Sequence, residues 1–134
     1  MIVVDTSALI AIITSEPMSD KCSDVLNSET SVIMSAGTLT EFLIVARRRK
    51  LWDEAEEIIA LYVGRIIEVT PKRAKDAAAA YALWGKSFHP AGLNFGDCFA
   101  YATAKEFDCP LLYVGNDFAQ TDVRAALAGS SSPM

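Results

Sequence analysis

Short apolar runs rich in β-branched residues alternate with helical segments along the whole chain, and this alternation constrains the fold more than any other feature. The runs with strand character are residues 2–4, 31–34, 66–69 and 110–114. In the stretches between them, apolar residues recur at helical spacing. Strands that alternate with helices form a mainly parallel sheet with helices on both faces. The sequence therefore predicts an α/β fold.

Capping and helix-breaking residues mark the ends of the predicted helices. Each predicted start carries either a side chain that accepts hydrogen bonds from a first helical turn or a proline that suits that turn. These starts are Thr6 or Ser7, Glu16-Pro17, Ser35, Thr70-Pro71 and Asn94. Gly85 ends an alanine-rich helix over residues 74–84, and a loop containing His89-Pro90 follows it.

The length and composition indicate a single domain. The chain has 134 residues, of which 51% are hydrophobic, enough to build one sizeable core. Residues 1–127 carry the pattern of strands and helices. The serine-rich residues 128–134 lack it, and we expect them to be a disordered tail.

The charge balance limits which partners the chain can attract. Its 12 Lys and Arg residues stand against 17 Asp and Glu residues, for a formal net charge of −5. Such a protein, taken as a whole, does not attract nucleic acid electrostatically. This argument against nucleic-acid binding weakens if carboxylates surround a divalent cation, because the cation cancels negative charge where a phosphate would lie.

The cysteines and the amino-terminal segment indicate the compartment. The three cysteines form no CxxC pair, so we expect neither a disulfide scaffold nor a structural zinc site. The apolar start lacks the basic residues of a secretion signal and is interrupted by Asp5. No stretch is long and apolar enough to span a bilayer. We therefore expect a cytoplasmic protein.

Four acidic residues are candidates for a functional site. Asp5 directly follows the first strand and Asp117 follows the last, and ligands of parallel sheets bind at the carboxyl ends of strands. Glu41 lies among apolar residues of its helix, so its charge needs a partner. Asp97 lies in the first turn of another helix. Taken singly, each also suits a turn, a helix cap or a structural salt bridge.

Taken together, the four carboxylates indicate a divalent cation. Carboxylates that converge at one sheet edge repel one another unless a cation holds them. Oxygen ligands alone suit Mg²⁺ or Mn²⁺, which assist phosphoryl chemistry by activating water. The single histidine, His89, rules out a histidine-based zinc site, and with no evident nucleophile partner we interpret it as structural. A phosphatase of the haloacid dehalogenase type is a weaker rival, because Ser7 stands where its second Asp belongs.

Four segments of the chain, taken in order, form a recognisable pattern: residues 2–9 (IVVDTSAL), 40–41 (TE), 92–102 (GLNFGDCFAYA) and 111–122 (LLYVGNDFAQTD). In this order they resemble a PIN-domain ribonuclease and, more narrowly, the VapC-type toxin of a type II toxin–antitoxin pair. The similarity covers nearly the whole chain. It implies a nuclease domain over residues 1–127 with a three-layer α/β/α fold and a mainly parallel central sheet of four to five strands.

The resemblance also implies the chemistry of the site. The metal ligands and catalytic residues that it implies are Asp5, Glu41, Asp97 and Asp117, with Mg²⁺ or Mn²⁺ as the cofactor. A metal-bound water would cleave RNA and leave 3′-hydroxyl and 5′-phosphate ends. Asn116 and Asp122 lie close enough to Asp117 in sequence to share its role. Thr6 and Ser7 could hydrogen-bond Asp5 or a substrate phosphate, but helix capping is the role that we expect.

The implied partners are an RNA substrate, a cognate antitoxin protein and a second copy in a homodimer. The basic residues 47–50 close the helix that carries Glu41. They either compensate the helix dipole or guide RNA phosphates towards the acids. Two other functions stay open: a PIN-fold nuclease that acts on DNA or structured nucleic acid, and a catalytically silent PIN binding module. The intact acidic set argues against the second.

Overall fold

The structure, a computed structural model, describes residues 1–127 of the chain. This part contains four β-strands and six α-helices. In chain order they are β1 (Ile2–Val4), α1 (Thr6–Ile13), α2 (Ser19–Ser28), β2 (Val32–Ser35), α3 (Ala36–Arg49), α4 (Trp52–Tyr62), β3 (Arg65–Ile67), α5 (Pro71–Trp84), α6 (Phe95–Glu106) and β4 (Leu111–Leu112). The predicted disordered tail, residues 128–134, lies outside the described residues.

The four strands form one parallel sheet in the order β3-β2-β1-β4. From β1 the chain moves outward to β2 and β3, then returns across the sheet to place β4 on the other side of β1. In open α/β sheets, ligands bind at the carboxyl ends of the strands where the strand order reverses. That point lies here between β1 and β4, and the predicted parallel sheet is confirmed.

Helices cover both faces of the sheet. Along β1, Ile2 and Val4 point into one core and Val3 points into the other, because successive side chains of a strand alternate. Helices α1 to α4 complete the first core, and α5 and α6 complete the second. The predicted three-layer α/β/α architecture is therefore confirmed.

The start of α1 differs from the prediction. The N-cap is Asp5, whose side chain accepts a hydrogen bond from the backbone N–H of Ser7. Aspartate caps a helix as well as serine does, so the helix can begin one residue earlier. Thr6 is already the first helical residue, and neither Thr6 nor Ser7 is a cap. Both hydroxyls are therefore free for other partners.

The other predicted caps are confirmed for three helices. The side chains of Ser35, Thr70 and Asn94 each accept a backbone N–H from the first turn of α3, α5 and α6. The second helix begins at Ser19 rather than at Glu16-Pro17.

No helix within residues 1–127 has the length and apolar character needed to cross a membrane.

Strands β3 and β4 differ from the predicted runs. Strand β3 begins one residue before the predicted run 66–69 and ends two residues earlier, and β4 is shorter than the predicted run 110–114. Ser35 pairs with Ile67 and then caps α3, so β3 has no partner beyond Ile67. Likewise Val4 pairs with Leu112, and β1 ends there because Asp5 caps α1. The ends of the central strands therefore set the lengths of their neighbours.

Candidate active site

The site lies at the carboxyl ends of β1 and β4, where the strand order reverses. Asp5 follows β1 directly, and its backbone N–H donates to the Leu112 carbonyl of β4 at 3.0 Å. Asp5 is only 3% exposed. A buried carboxylate in this position needs hydrogen-bond donors or a cation.

The two carboxylate oxygens of Asp5 have different surroundings. Oδ2 accepts hydrogen bonds from the backbone N–H and the hydroxyl of Ser7, at 3.1 Å and 2.7 Å. Oδ1 is buried and has no hydrogen-bond partner. Burial raises the pKa of Asp5 to about 6, and the charge of Glu41 adds to the rise. Asp5 therefore presents one unsatisfied oxygen that a cation would stabilise.

Ser7 connects the ends of β1 and β4. Its Oγ accepts a hydrogen bond from the backbone N–H of Val114 at 3.0 Å and donates to Asp5 Oδ2. The hydroxyl has a single hydrogen, so its orientation is fixed. Ser7 is therefore occupied by Asp5 rather than by helix capping, and it orients that carboxylate.

Glu41 approaches the site from α3. Its Oε1 accepts a hydrogen bond from the hydroxyl of Thr6 at 2.8 Å, which places Glu41 beside the end of β1. The carboxylate also lies against Gly96, where a Cβ would overlap it. The partner that the charge of Glu41 requires is thus the Thr6 hydroxyl. The absence of a side chain at Gly96 makes room for the Glu41 carboxylate beside α6.

Asp97 is held in the first turn of α6 by a capping box. Asn94 and Asp97 each accept the other's backbone N–H, at 2.8 Å and 3.0 Å. Asp97 is 5% exposed. Burial, together with the charges of Asp5, Asp117 and Glu41, raises its pKa to about 7. The four predicted acids therefore share one electrostatic environment.

Asp117 lies in the segment that follows β4. The segment turns at Gly115, which has a φ of +98°, and Phe118 then packs against Tyr113 with ring centroids 5.1 Å apart. Asp117 itself is exposed but close enough to raise the pKa of Asp97. Both Asp122 carboxylate oxygens are engaged elsewhere, by Tyr101 and Lys105.

The described residues contain no group of three or more His, Cys, Asp or Glu side chains already placed to coordinate a metal ion. The four acids are near one another without forming a closed cage. Mg²⁺ keeps several waters and binds through one or two protein carboxylates, so it does not require such a cage. The unpartnered Asp5 Oδ1 and the all-oxygen donor set suit that kind of ion.

The surface beside the acids carries an apolar groove and one cation. The groove is lined by Thr40, Glu41, Ile44, Arg48, Val69 and Phe95, among others. Phe95 is 78% exposed and Ile44 is 53% exposed. Arg48 shares the groove with Glu41, whereas Arg47 stacks over Trp52 at 3.8 Å. The basic residues 47–50 therefore divide between the groove and the helix end.

His89 lies outside the acidic site. Its Nδ1 accepts the backbone N–H of Ala91 at 2.9 Å, and its ring packs edge-on against Trp84. These contacts hold the loop between α5 and α6. A hydrogen bond from Ser7 to Asp5 was open as an alternative to capping, and the structure contains it. The contact of Thr6 with Glu41, that of Val114 with Ser7 and the space at Gly96 each depend on a residue distant in the chain, so the sequence did not reveal them.

Comparisons with known proteins agree with this geometry. Residues 2–124 match the PIN domain family. Ribonuclease VapC28 of Mycobacterium tuberculosis is 40% identical over 134 residues, covering 93% of this chain and 97% of that protein. The crystal structure of VapC20 from the same species, a Sarcin-Ricin loop cleaving toxin, superposes with a TM-score of 0.74 at 19% identity, covering 92% of this chain and 96% of that one. A toxin–antitoxin complex from Klebsiella pneumoniae gives a TM-score of 0.67 at 17% identity, covering 91% and 93%.

The family match spans nearly all of the described residues, and the VapC28 identity extends over almost the whole length of both proteins. The structural matches show the same fold. The chain therefore belongs to the PIN-domain family, within its VapC ribonuclease group.

Proposed function

We propose that the protein is a divalent-metal-dependent endoribonuclease and the toxin of a type II toxin–antitoxin pair. The observation that carries the proposal is the buried, unpartnered Oδ1 of Asp5, in a carboxylate close enough to Asp97 for its charge to raise the pKa of Asp97. An oxygen in this state is unfavourable unless it binds a cation or a proton. The similarity to VapC ribonucleases supports RNA as the polymer that is cut.

The residues suited to hold the ion are Asp5, through Oδ1, and Asp97. When bound, a divalent cation such as Mg²⁺ or Mn²⁺ activates a water and stabilises negative charge on the departing 3′ oxygen. Glu41, held by Thr6, and the exposed Asp117 would orient the attacking water or bind a second ion. The products would carry 3′-hydroxyl and 5′-phosphate ends.

Arg48 is the cation best placed to meet the RNA backbone near the acids, because it lines the same groove as Glu41. The net charge of −5 makes such a local cation more necessary. Contacts to phosphates make affinity depend on salt. We place this activity in the cytoplasm, where the RNA substrate is found.

A basic segment of an antitoxin is the partner that suits the acidic pocket. A positive side chain there would neutralise the repelling carboxylates and compete with the cation. The match to a toxin–antitoxin complex from Klebsiella pneumoniae supports a partner of this class.

A second copy of the chain is proposed to cover the exposed apolar surface beside the site. Ile44, Val69 and Phe95 are large apolar side chains exposed close together along the groove. Clustered apolar exposure of this kind indicates an interface. The homodimer would bring two acidic pockets into one assembly.

The nuclease assignment is tested by incubating the protein with RNA and with DNA of matched sequence, in Mg²⁺ and then in EDTA. We expect RNA to be cut in Mg²⁺ only. The variant Asp97→Asn should remain folded and lose cleavage. Asp108→Asn is the matched control, because Asp108 is exposed and its φ of 49° is tolerated by asparagine. Cleavage of DNA alone, or undiminished cleavage by Asp97→Asn, would contradict the assignment.

A further inference from the structure

We propose that Asp122 is a positioning residue: its tie to Tyr101 and Lys105 on α6 holds the segment that carries Asp117 in place opposite Asp97. The proposal rests on the proposed function, since it concerns the same acidic site. It assigns to Asp122 a role different from that of a metal ligand.

Both carboxylate oxygens of Asp122 are engaged by α6. The Tyr101 hydroxyl donates to Oδ1 at 2.6 Å, and the Lys105 ammonium donates to Oδ2 at 3.2 Å. Tyr101 is buried, so its hydroxyl needs an acceptor, and Asp122 supplies it. The bond to a buried hydroxyl distinguishes this contact from an exposed ion pair, which would contribute little.

The positions of these partners on α6 connect them to the catalytic acid. Asp97, Tyr101 and Lys105 are spaced by four residues, so they lie along one face of the helix. The helix holds Asp97 directly in its first turn. One or two turns later it holds Asp122, five residues beyond Asp117. A single rigid element thus positions both acids.

The segment between β4 and Asp122 has intrinsic freedom that such a tie would restrict. Gly115 has a φ of +98° and nothing within 4 Å of where its Cβ would lie. The segment is fixed before that residue by the Ser7 hydroxyl on Val114, and after it by buried Phe118. Asp122 provides the next fixed point, ahead of the backbone hydrogen bonds that join Arg124 and Ala126 to Leu111. Asp117 is itself exposed, so its location depends on these flanking contacts.

The test uses the variants Asp122→Ala and Tyr101→Phe, with Asp122→Asn as the conservative variant. Asparagine still accepts the Tyr101 hydroxyl but loses the charge attraction to Lys105. Arg124→Ala is the matched control, because Arg124 lies two residues beyond Asp122 and contacts Asp108 instead of α6. The variant removes an exposed ion pair to the Asp108 carboxylate and a hydrogen bond to the Asp108 carbonyl. Amide exchange of residues 115–120 is measured without metal or RNA, and Mn²⁺ affinity is measured by electron paramagnetic resonance.

We expect Asp122→Ala and Tyr101→Phe to speed exchange across residues 115–120 and to weaken Mn²⁺ binding about tenfold, as loss of a supporting contact does. Asp122→Asn should recover most of both properties, and Arg124→Ala should match the wild-type protein. Unchanged exchange in Asp122→Ala, or faster exchange with wild-type Mn²⁺ affinity, would overturn the positioning role alone. Absence of Mn²⁺ binding by the wild-type protein would overturn the proposed function and this proposal with it.

Discussion

The hydrogen-bond directions around Asp5 decide which of its oxygens can serve the site. Ser7 Oγ accepts from the Val114 N–H, so its only hydrogen is directed at Asp5 Oδ2. Oδ2 is thereby satisfied and Oδ1 is left without a partner. Ser7 thus orients Asp5 and links it to the strand end that leads to Asp117.

Replacing Ser7 by alanine should reduce both metal affinity and cleavage rate, by about 10- to 100-fold, as loss of a residue that orients a metal ligand does. It also leaves the Val114 N–H unpaired, at a cost to stability of about 1–2 kcal/mol. Ser7→Thr keeps the hydroxyl and should retain most of the function. The measurement is a Mg²⁺ titration of the cleavage rate with a parallel urea denaturation, and a wild-type Mg²⁺ dependence in Ser7→Ala would contradict this role.

For individual residues, the sequence predicts the acids of the site better than it predicts the side chains that orient those acids. Asp5 and Asp97 are found from a strand end and a first helical turn, which are local signals. The contacts from Thr6 to Glu41 and from Val114 to Ser7 join residues 35 and 107 positions apart. Such contacts arise only when the sheet brings the segments together, so no local pattern could have predicted them.

Among the elements, α6 carries the largest share of the site. Its first turn contains Asp97, its Gly96 accommodates Glu41 from α3, and its later turns bind Asp122. A glycine inside a helix costs up to about 1 kcal/mol relative to alanine. Its presence here is explained by the close approach of the Glu41 carboxylate rather than by helix formation.

The variant Gly96→Ala should therefore separate stability from activity. We expect the free energy of unfolding to stay the same or rise slightly, because alanine favours the helix and the displaced group is the end of a flexible side chain. Cleavage should fall at least about tenfold as Glu41 moves out of place. Gly64→Ala is the control, since its Cβ would make only an ordinary contact at 3.7 Å with the Val32 carbonyl. Wild-type activity in Gly96→Ala would contradict the role of Glu41.

The elements themselves could largely be predicted from sequence. The caps Ser35, Thr70 and Asn94 are visible as residue types at the right positions. The prediction that Thr6 or Ser7 caps α1 was wrong. Asp5 is the last residue before the helix and acts both as its cap and as an acid of the site. The two-residue length of β4 was not predictable, since it is set by where β1 ends.

Across the whole molecule, folding brings carboxylates together and makes stability depend on pH. The pKa values of Asp5 and Asp97 are raised to about 6 and about 7 in the folded state, mainly by burial. The folded state therefore holds these protons more tightly than the unfolded state does. The stabilisation is present at pH below about 4 and is lost as the pH rises towards 7. Metal-free protein should be less stable at neutral pH for this reason.

Asp97→Asn isolates this effect from the other titrating groups. In EDTA, the wild-type protein should lose stability between pH 4 and 8 as Asp97 loses its proton, whereas asparagine does not titrate. The free energy of unfolding of the variant minus that of the wild type should therefore increase over this range by on the order of 2 kcal/mol. Saturating Mg²⁺ should narrow or reverse the difference, because the ion stabilises the folded wild-type protein. Calorimetry across this pH range, with and without Mg²⁺, provides the measurement. A pH-independent difference would contradict burial of a shared acidic site.

The central claim is that the acids at the carboxyl ends of β1 and β4 form a divalent-cation site. The most direct measurement is anomalous diffraction from crystals of the wild-type protein grown with Mn²⁺. We expect one strong anomalous peak bound by Asp5 Oδ1 and by Asp97, with Glu41 and Asp117 beside it. Mn²⁺ found only at other carboxylates, or an Asp5 Oδ1 that remains unbound at saturating Mn²⁺, would contradict the claim.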